Sequence, residues 1–134
     1  MAKQLTDWLT ADPTGQNAAA TFIVGDFNSY QYEDPMVALK SAGFYNLANK
    51  YLPANNWTTS YRGTLGSLDY VLANEAAKKL STGLTQWHIN STSMDAFGYN
   101  TEPLAEQTPK PKGFYRIDPY ASSDHDVVIA GFEF

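Results

Sequence analysis

Apolar positions recur along this chain in two rhythms, one helical and one extended. Leu5, Trp8 and Leu9 fall at helical spacing within Lys3 to Thr10, and Asp12-Pro13-Thr14-Gly15 supplies a stop, so a short amphipathic helix is predicted there. From Ala18 to Val24 the chain turns continuously apolar and β-branched and ends in Gly25-Asp26. That is the profile of a buried strand delivering Asp26 at its C-terminal end. Asp34-Pro35 opens the clearest helix: Asp34 can cap, Pro35 suits the first turn, Met36, Leu39 and Ala42 form an apolar face, and Gly43 follows the end. Thr58 to Arg62 and Leu68 to Ala73 read as two strands around a Gly63 to Gly66 turn. Asn74 is placed to cap a short helix through Lys79, and Thr85 to Asn90 and Asp126 to Phe134 read as strands. Ser91 to Gly113 is polar and carries Pro103, Pro109 and Pro111, a long loop of the kind that is functional or mobile. No repeat or linker divides the chain, so residues 1–134 are expected to form one α/β unit.

Composition narrows the classes. Of 134 residues, 43% are hydrophobic, enough to fill a core, which argues against disorder. Nine Lys and Arg against fourteen Asp and Glu give a net charge of -5, so nucleic acid cannot be held by bulk charge and would need a local device such as a bound cation. The absence of cysteine excludes a disulfide scaffold and a Cys-based zinc site. Met1-Ala2-Lys3-Gln4-Leu5 lacks the basic-then-apolar pattern of a signal peptide, and no apolar run is long enough to suggest a membrane span.

Polar, ionisable residues stand at three strand ends. Asp26 cannot lie unpaired inside the strand Phe22-Ile23-Val24, because desolvating a charge is costly, so it is expected at the rim beside Gly25. Asn28 shares its face if the chain stays extended, making a carboxylate–carboxamide pair suited to holding a water; an Asx-turn is the alternative. Asp69, on the less apolar face of Leu68-Asp69-Tyr70-Val71-Leu72, needs a donor: a catalytic histidine, or Arg62 across the hairpin. His125 in Ser122-Ser123-Asp124-His125-Asp126 is flanked by acids that favour its protonated form, which suits contact with a phosphate; a solvated turn is the alternative. Trp57 with Tyr61 and Arg62 can stack on a sugar or base, or pack with a snorkelling Arg; Tyr61 and Arg62 are the substrate-binding candidates. His88, in an apolar context, reads as a structural histidine. Lys110, Lys112 and Arg116 are a basic spot in the long loop that could track a substrate, though such spots are commonly solvated faces.

Taken in order, Gly25-Asp26-Phe27-Asn28, Trp57 with Tyr61-Arg62, Leu68-Asp69-Tyr70 and Ser123-Asp124-His125 resemble the C-terminal half of the endonuclease/exonuclease/phosphatase superfamily. That superfamily includes pancreatic-type deoxyribonucleases, abasic-site endonucleases, bacterial sphingomyelinases and inositol-polyphosphate phosphatases. The resemblance runs from about Thr21 to the C-terminus. It implies the C-terminal half of a two-sheet α/β sandwich. It implies that Asp26 orients or deprotonates the attacking water, that Asn28 holds the phosphate or that water, and that Asp124 helps bind a divalent metal. His125 would contact the scissile phosphate and Asp69 would support it. The implied cofactor is Mg²⁺ or Mn²⁺, which also lets an acidic chain hold a phosphate.

Trp87-His88-Ile89-Asn90 and the insertion before Ser122 look most like large secreted bacterial nucleases acting on DNA or RNA. Val127, where proline is common, and Ala121, where a basic residue is common, depart from that pattern. The family's N-terminal half, with a metal-binding Glu, is expected to be supplied from elsewhere in a secreted parent. The isolated chain is then expected to be inactive and, with an uncovered sheet face, to self-associate as a homo-oligomer. A phospholipid or inositol-phosphate phosphatase of the same superfamily, and a non-catalytic binding module retaining the fold, are the rival readings.

Overall fold

The computed structural model describes residues 1–93 and 122–134. The basic loop group and most of the Ser91 to Gly113 loop therefore lie outside the described residues. Helix α1 spans Ala2–Thr10. Strand β1 spans Phe22–Asp26, starting later than the apolar run does. Residues Ala19 and Thr21 are instead held by one side chain: Asn74 Nδ2 donates to Ala19 O (2.8 Å) and Thr21 N donates to Asn74 Oδ1 (3.2 Å). Helix α2 spans Asp34–Ser41 with Glu33, not Asp34, at the N-cap position and Pro35 in its first turn. Gly43 follows with φ 91, the left-handed conformation that ends a helix cheaply only in glycine. Strand β2 (Tyr45–Asn46) and helix α3 (Ala48–Tyr51) are too short to show a sequence period.

The expected two-strand hairpin resolves into three strands: β3 (Thr59–Tyr61), β4 (Thr64–Gly66) and β5 (Asp69–Ala73). β3 pairs with β4 across Arg62-Gly63, which both have positive φ (50 and 80), the signature of a tight two-residue hairpin turn. β5 leaves that hairpin to become the centre of a sheet ordered β1-β5-β2. The cause is its composition. Tyr70, Val71, Leu72 and Ala73 are all buried, so the strand needs cover on both faces and both edges. Helix α4 (Glu75–Leu80) follows, with the Asn74 carboxamide accepting from Ala77 N as its cap. Strand β6 runs Ser81–Trp87 and pairs antiparallel with β7, Val127–Phe132.

The side-chain period of two gives β5 two cores. Val71 and Ala73 pack with Leu47, Ala77 and Leu84 and against Val128, Ala130 and Phe132 of β7. Tyr70 and Leu72 pack on Met36, Leu39 and Phe44, with Leu5 and Leu9 of α1 and Ile23 and Phe27 alongside. The layers are thus helices α1 and α2, the β1-β5-β2 sheet, and the β6-β7 sheet, a mixed α/β architecture of antiparallel sheets. The far face of the last layer stays bare: Trp87, Val127 and Ile129 are 55%, 43% and 48% exposed. No helix of the described residues is long and apolar enough to cross a membrane.

Asn74 ties α4, β1 and the chain before it together. Asn74→Ala should lower unfolding free energy by about 1–2 kcal/mol, the range for a lost cap. Urea denaturation checks this; a change within about 0.3 kcal/mol would show that solvent replaces these bonds freely.

Candidate active site

Strand pairing alone sets two carboxylates side by side. β1 runs against β5 in a register that makes Asp26 and Asp69 direct partners. Like charges opposite one another destabilise a sheet, so a positive charge near them is favourable. His125 meets that need. Its Nδ1 lies 2.7 Å from Asp69 Oδ2, so the imidazole N–H donates to a carboxylate fifty-six residues away in sequence. Both side chains are mostly buried. Desolvation pulls the His125 pKa down. The Asp69 hydrogen bond and the charges of Asp69, Asp124 and Asp26 outweigh it, and the pKa is raised above the ordinary histidine value.

One short segment holds both partners of this pair. Thr58 is fully buried. Its Oγ1 accepts from Leu68 N (3.1 Å) and Asp69 N (3.3 Å) where the chain enters β5. Its carbonyl accepts from Asp126 N at 2.7 Å. Thr59 bridges His125 through the backbone, and its Oγ1 donates to Asp124 O at 3.2 Å. The Asp69 end and the His125 end are therefore fixed to the same two residues. The His125 N–H is taken by Ser123 Oγ at 3.0 Å, which closes the turn before it.

Asp126 was expected to add its charge to His125, and it does not. Adjacent residues of an extended chain face opposite ways, and the Asp126 side chain turns inward, with no solvent exposure. It accepts from His88 Nδ1 (2.7 Å), from the backbone N–H of Asn90 and Ser91 (2.9 Å each) and from Ser91 Oγ. Burial pushes its pKa up; the bonds from Ser91, His88 and Asn90 more than reverse that, leaving it lowered. This demand explains why β6 stops at Trp87 and not at Asn90: residues 88–91 wrap the carboxylate instead of pairing. The wrapped turn reaches back to the site, since Asn90 Nδ2 donates to His125 O at 2.8 Å. His88 is also stacked on Trp57 (centroids 4.2 Å apart, 15° between planes).

The remaining candidates are placed as follows. Asn28 is not extended beside Asp26. It has φ 48, and its N–H donates to Asp26 Oδ1 at 2.7 Å, an Asx-turn. Asp124 is exposed and lies outside the converging group, although its charge acts on His125. Tyr61 and Arg62 stand exposed at the β3-β4 hairpin, the guanidinium 5.3 Å from the Tyr61 ring centroid, and Trp57 has left them for His88. Arg62 is not the partner of Asp69.

Asp26, Asp69 and His125 each offer a ligand atom within 4.8 Å of the others. Asp26 is exposed, and among the described residues its Oδ2 makes no hydrogen bond. Open carboxylate oxygens beside a second carboxylate suit a hard divalent cation, which keeps several waters and takes one or two carboxylates.

The model of the Endonuclease/Exonuclease/phosphatase family matches residues 3–125, nearly the whole chain. No curated protein and no solved structure matches it.

The two shifted groups make stability depend on pH in opposite directions. A raised His125 contributes stability that is complete below its unfolded value of about 6.5 and is lost as pH rises through the folded value. A lowered Asp126 contributes stability that is complete above about 3.9 and is lost as pH falls through the folded value. Urea midpoints measured across pH should show both losses. His125→Gln should abolish the alkaline-side loss and Asp126→Asn the acid-side one; unchanged slopes in both variants would contradict these assignments.

Proposed function

The chain belongs to the endonuclease/exonuclease/phosphatase family, a family of phosphodiester- and phosphomonoester-cleaving hydrolases, and within it we propose a divalent-metal-dependent nuclease acting on DNA or RNA. The observation that carries the proposal is the Asp69–His125 bond of 2.7 Å beside the cross-strand Asp26. Asp69 keeps Nδ1 of His125 protonated, which leaves Nε2 to donate to a non-bridging oxygen of the phosphate. Asp26, exposed and held by the turn through Asn28, orients the attacking water and takes its proton. Mg²⁺ or Mn²⁺ at the open Oδ2 of Asp26, with Asp69 adjacent, would neutralise phosphate charge and acidify water. Asn28, with its N–H committed to Asp26, contributes to the phosphate through its side chain.

A diester substrate fits an acidic surface that relies on a bound cation for its affinity. We take the constellation to be completed by residues of a secreted parent outside these 134, including a further carboxylate ligand. The bare Trp87-Val127-Ile129 face is then where that part, or a second copy, covers the sheet. A concentration-independent monomer in light scattering would oppose the second-copy arrangement.

Mn²⁺ titrated into the chain should broaden the amide signals of Asp26, Asp69 and His125 first, and Asp26→Asn should weaken that binding about tenfold. Broadening that ignores these residues would remove the metal from the proposal. The isolated chain with Mg²⁺ should leave plasmid DNA uncut. In an active parent, Asp26→Asn and His125→Ala should each lower kcat by about 10²–10⁴; undiminished activity in both variants would sink the assignment.

A further inference from the structure

A second surface of this acidic chain has the opposite character. A cavity of about 300 Å³ opens between α2, β2, α3 and the last turn of α4. Lys40, Lys50 and Lys78 all line it. Among the described residues no Asp or Glu does, in a chain whose acids outnumber its bases. Lys40 and Lys50 have no carboxylate within ion-pair distance among the described residues, and Lys78 reaches Glu75 only at 3.5 Å. Two aromatic rings complete the lining. Tyr32 is 85% exposed, and Tyr45 carries Lys78 Nζ 4.2 Å from its centroid. Lys50 Nζ also donates to Ser81 Oγ at 3.0 Å, which holds that ammonium at the cavity wall.

The cavity does not end there. Gln31, Tyr32 and Asn49 are shared with an adjoining cavity of about 260 Å³, whose lining among the described residues also has no Asp or Glu. That second cavity includes Tyr30 and Ser67. Tyr30 is two residues past Asn28, and Ser67 is two residues before Asp69. The nearby Glu33 carboxylate is occupied, accepting from Ser29 Oγ and Tyr30 N (2.9 Å each). The two cavities therefore form one path from the Tyr30–Ser67 end to the lysine cluster, with the Glu33 carboxylate beside its Tyr30 end.

We propose that this path binds a single strand of nucleic acid, with phosphates on Lys40, Lys50 and Lys78 and a base stacked on Tyr32. The proposal rests on the nuclease reading for its choice of polyanion. Stacking favours an unpaired strand, because the bases of a duplex hide their faces. The chain then solves its charge problem twice: by a cation at the reacting phosphate and by fixed lysines on the flanking ones.

The test reads binding and not cleavage, so it can fail independently of the nuclease assignment. Fluorescence anisotropy with a labelled oligothymidylate of about ten nucleotides, in EDTA, gives affinity as a function of salt. Three phosphate contacts should give a log–log slope near −2 (about −0.7 each). Lys40→Gln with Lys78→Gln should bring the slope to about −0.7 and weaken binding at least about tenfold. Tyr32→Ala should weaken the single strand about tenfold and leave a duplex of the same length unaffected. No binding by the wild type, an unchanged slope in the lysine variant, or equal loss for duplex and single strand on Tyr32→Ala would overturn the proposal.

Discussion

A carboxylate with no access to water must be satisfied entirely by protein, and the corner of this molecule that holds His125 is arranged around one such group. Asp126 gathers the imidazole of His88, two backbone N–H groups and the Ser91 hydroxyl. Leaving a group of this kind unpaired costs several kcal/mol, so the turn at residues 88–91 has little freedom to take another shape. Because Asn90 in that turn also holds the carbonyl of His125, satisfying Asp126 fixes the backbone of the neighbouring residue. On the other side of the strand, Thr58 and Thr59 lock the same backbone to the entry of β5. His125 is thereby positioned by bonds it does not itself make.

The register of β1 and β5 creates a repulsion that would be a defect in a purely structural sheet. Asp26 facing Asp69 is unfavourable until a positive charge arrives, and His125 supplies only part of it. Asp124 adds negative charge nearby. The site is thus left short of positive charge, a condition in which an external cation, and a phosphate bound with it, lowers the energy of the whole corner.

Much of this was legible in the sequence. Asp26 had to lie at a strand end, since a five-residue apolar strand has no place for an unpaired carboxylate within it. Asp69 needed a donor, and a histidine was the proposed one. The Asn74 cap and the Pro35 start of α2 followed from local chemistry alone. Other features depend on contacts distant in sequence. The period of two says that Asp126 faces away from His125, toward the core, and a buried carboxylate then asks for a donor such as His88. That signal was present, but two acids beside a histidine read more simply as its charged flanks. The β3-β4 hairpin was misassigned because β5, buried on both faces, is drawn into a different sheet by tertiary packing. Asn28 took the ordinary course of its residue type, turning back onto Asp26 instead of extending past it. Asp124, Tyr61 and Arg62 carry their motif's residue types yet lie outside the converging group, since sequence order does not fix the distance between side chains.

The central position of β5 has a consequence for motion. It lies between β1 and β2 with both faces packed, whereas among the described residues β7 is paired only with β6 and bares one face. Regions with fewer buried contacts open first, in cooperative units smaller than the whole. Asp69 and His125 therefore belong to units of unequal resilience. Local opening of the β6-β7 ribbon separates them while the helical layer and the first sheet remain intact. The fold would then lose the Asp69–His125 geometry on warming before the helical layer and the first sheet melt.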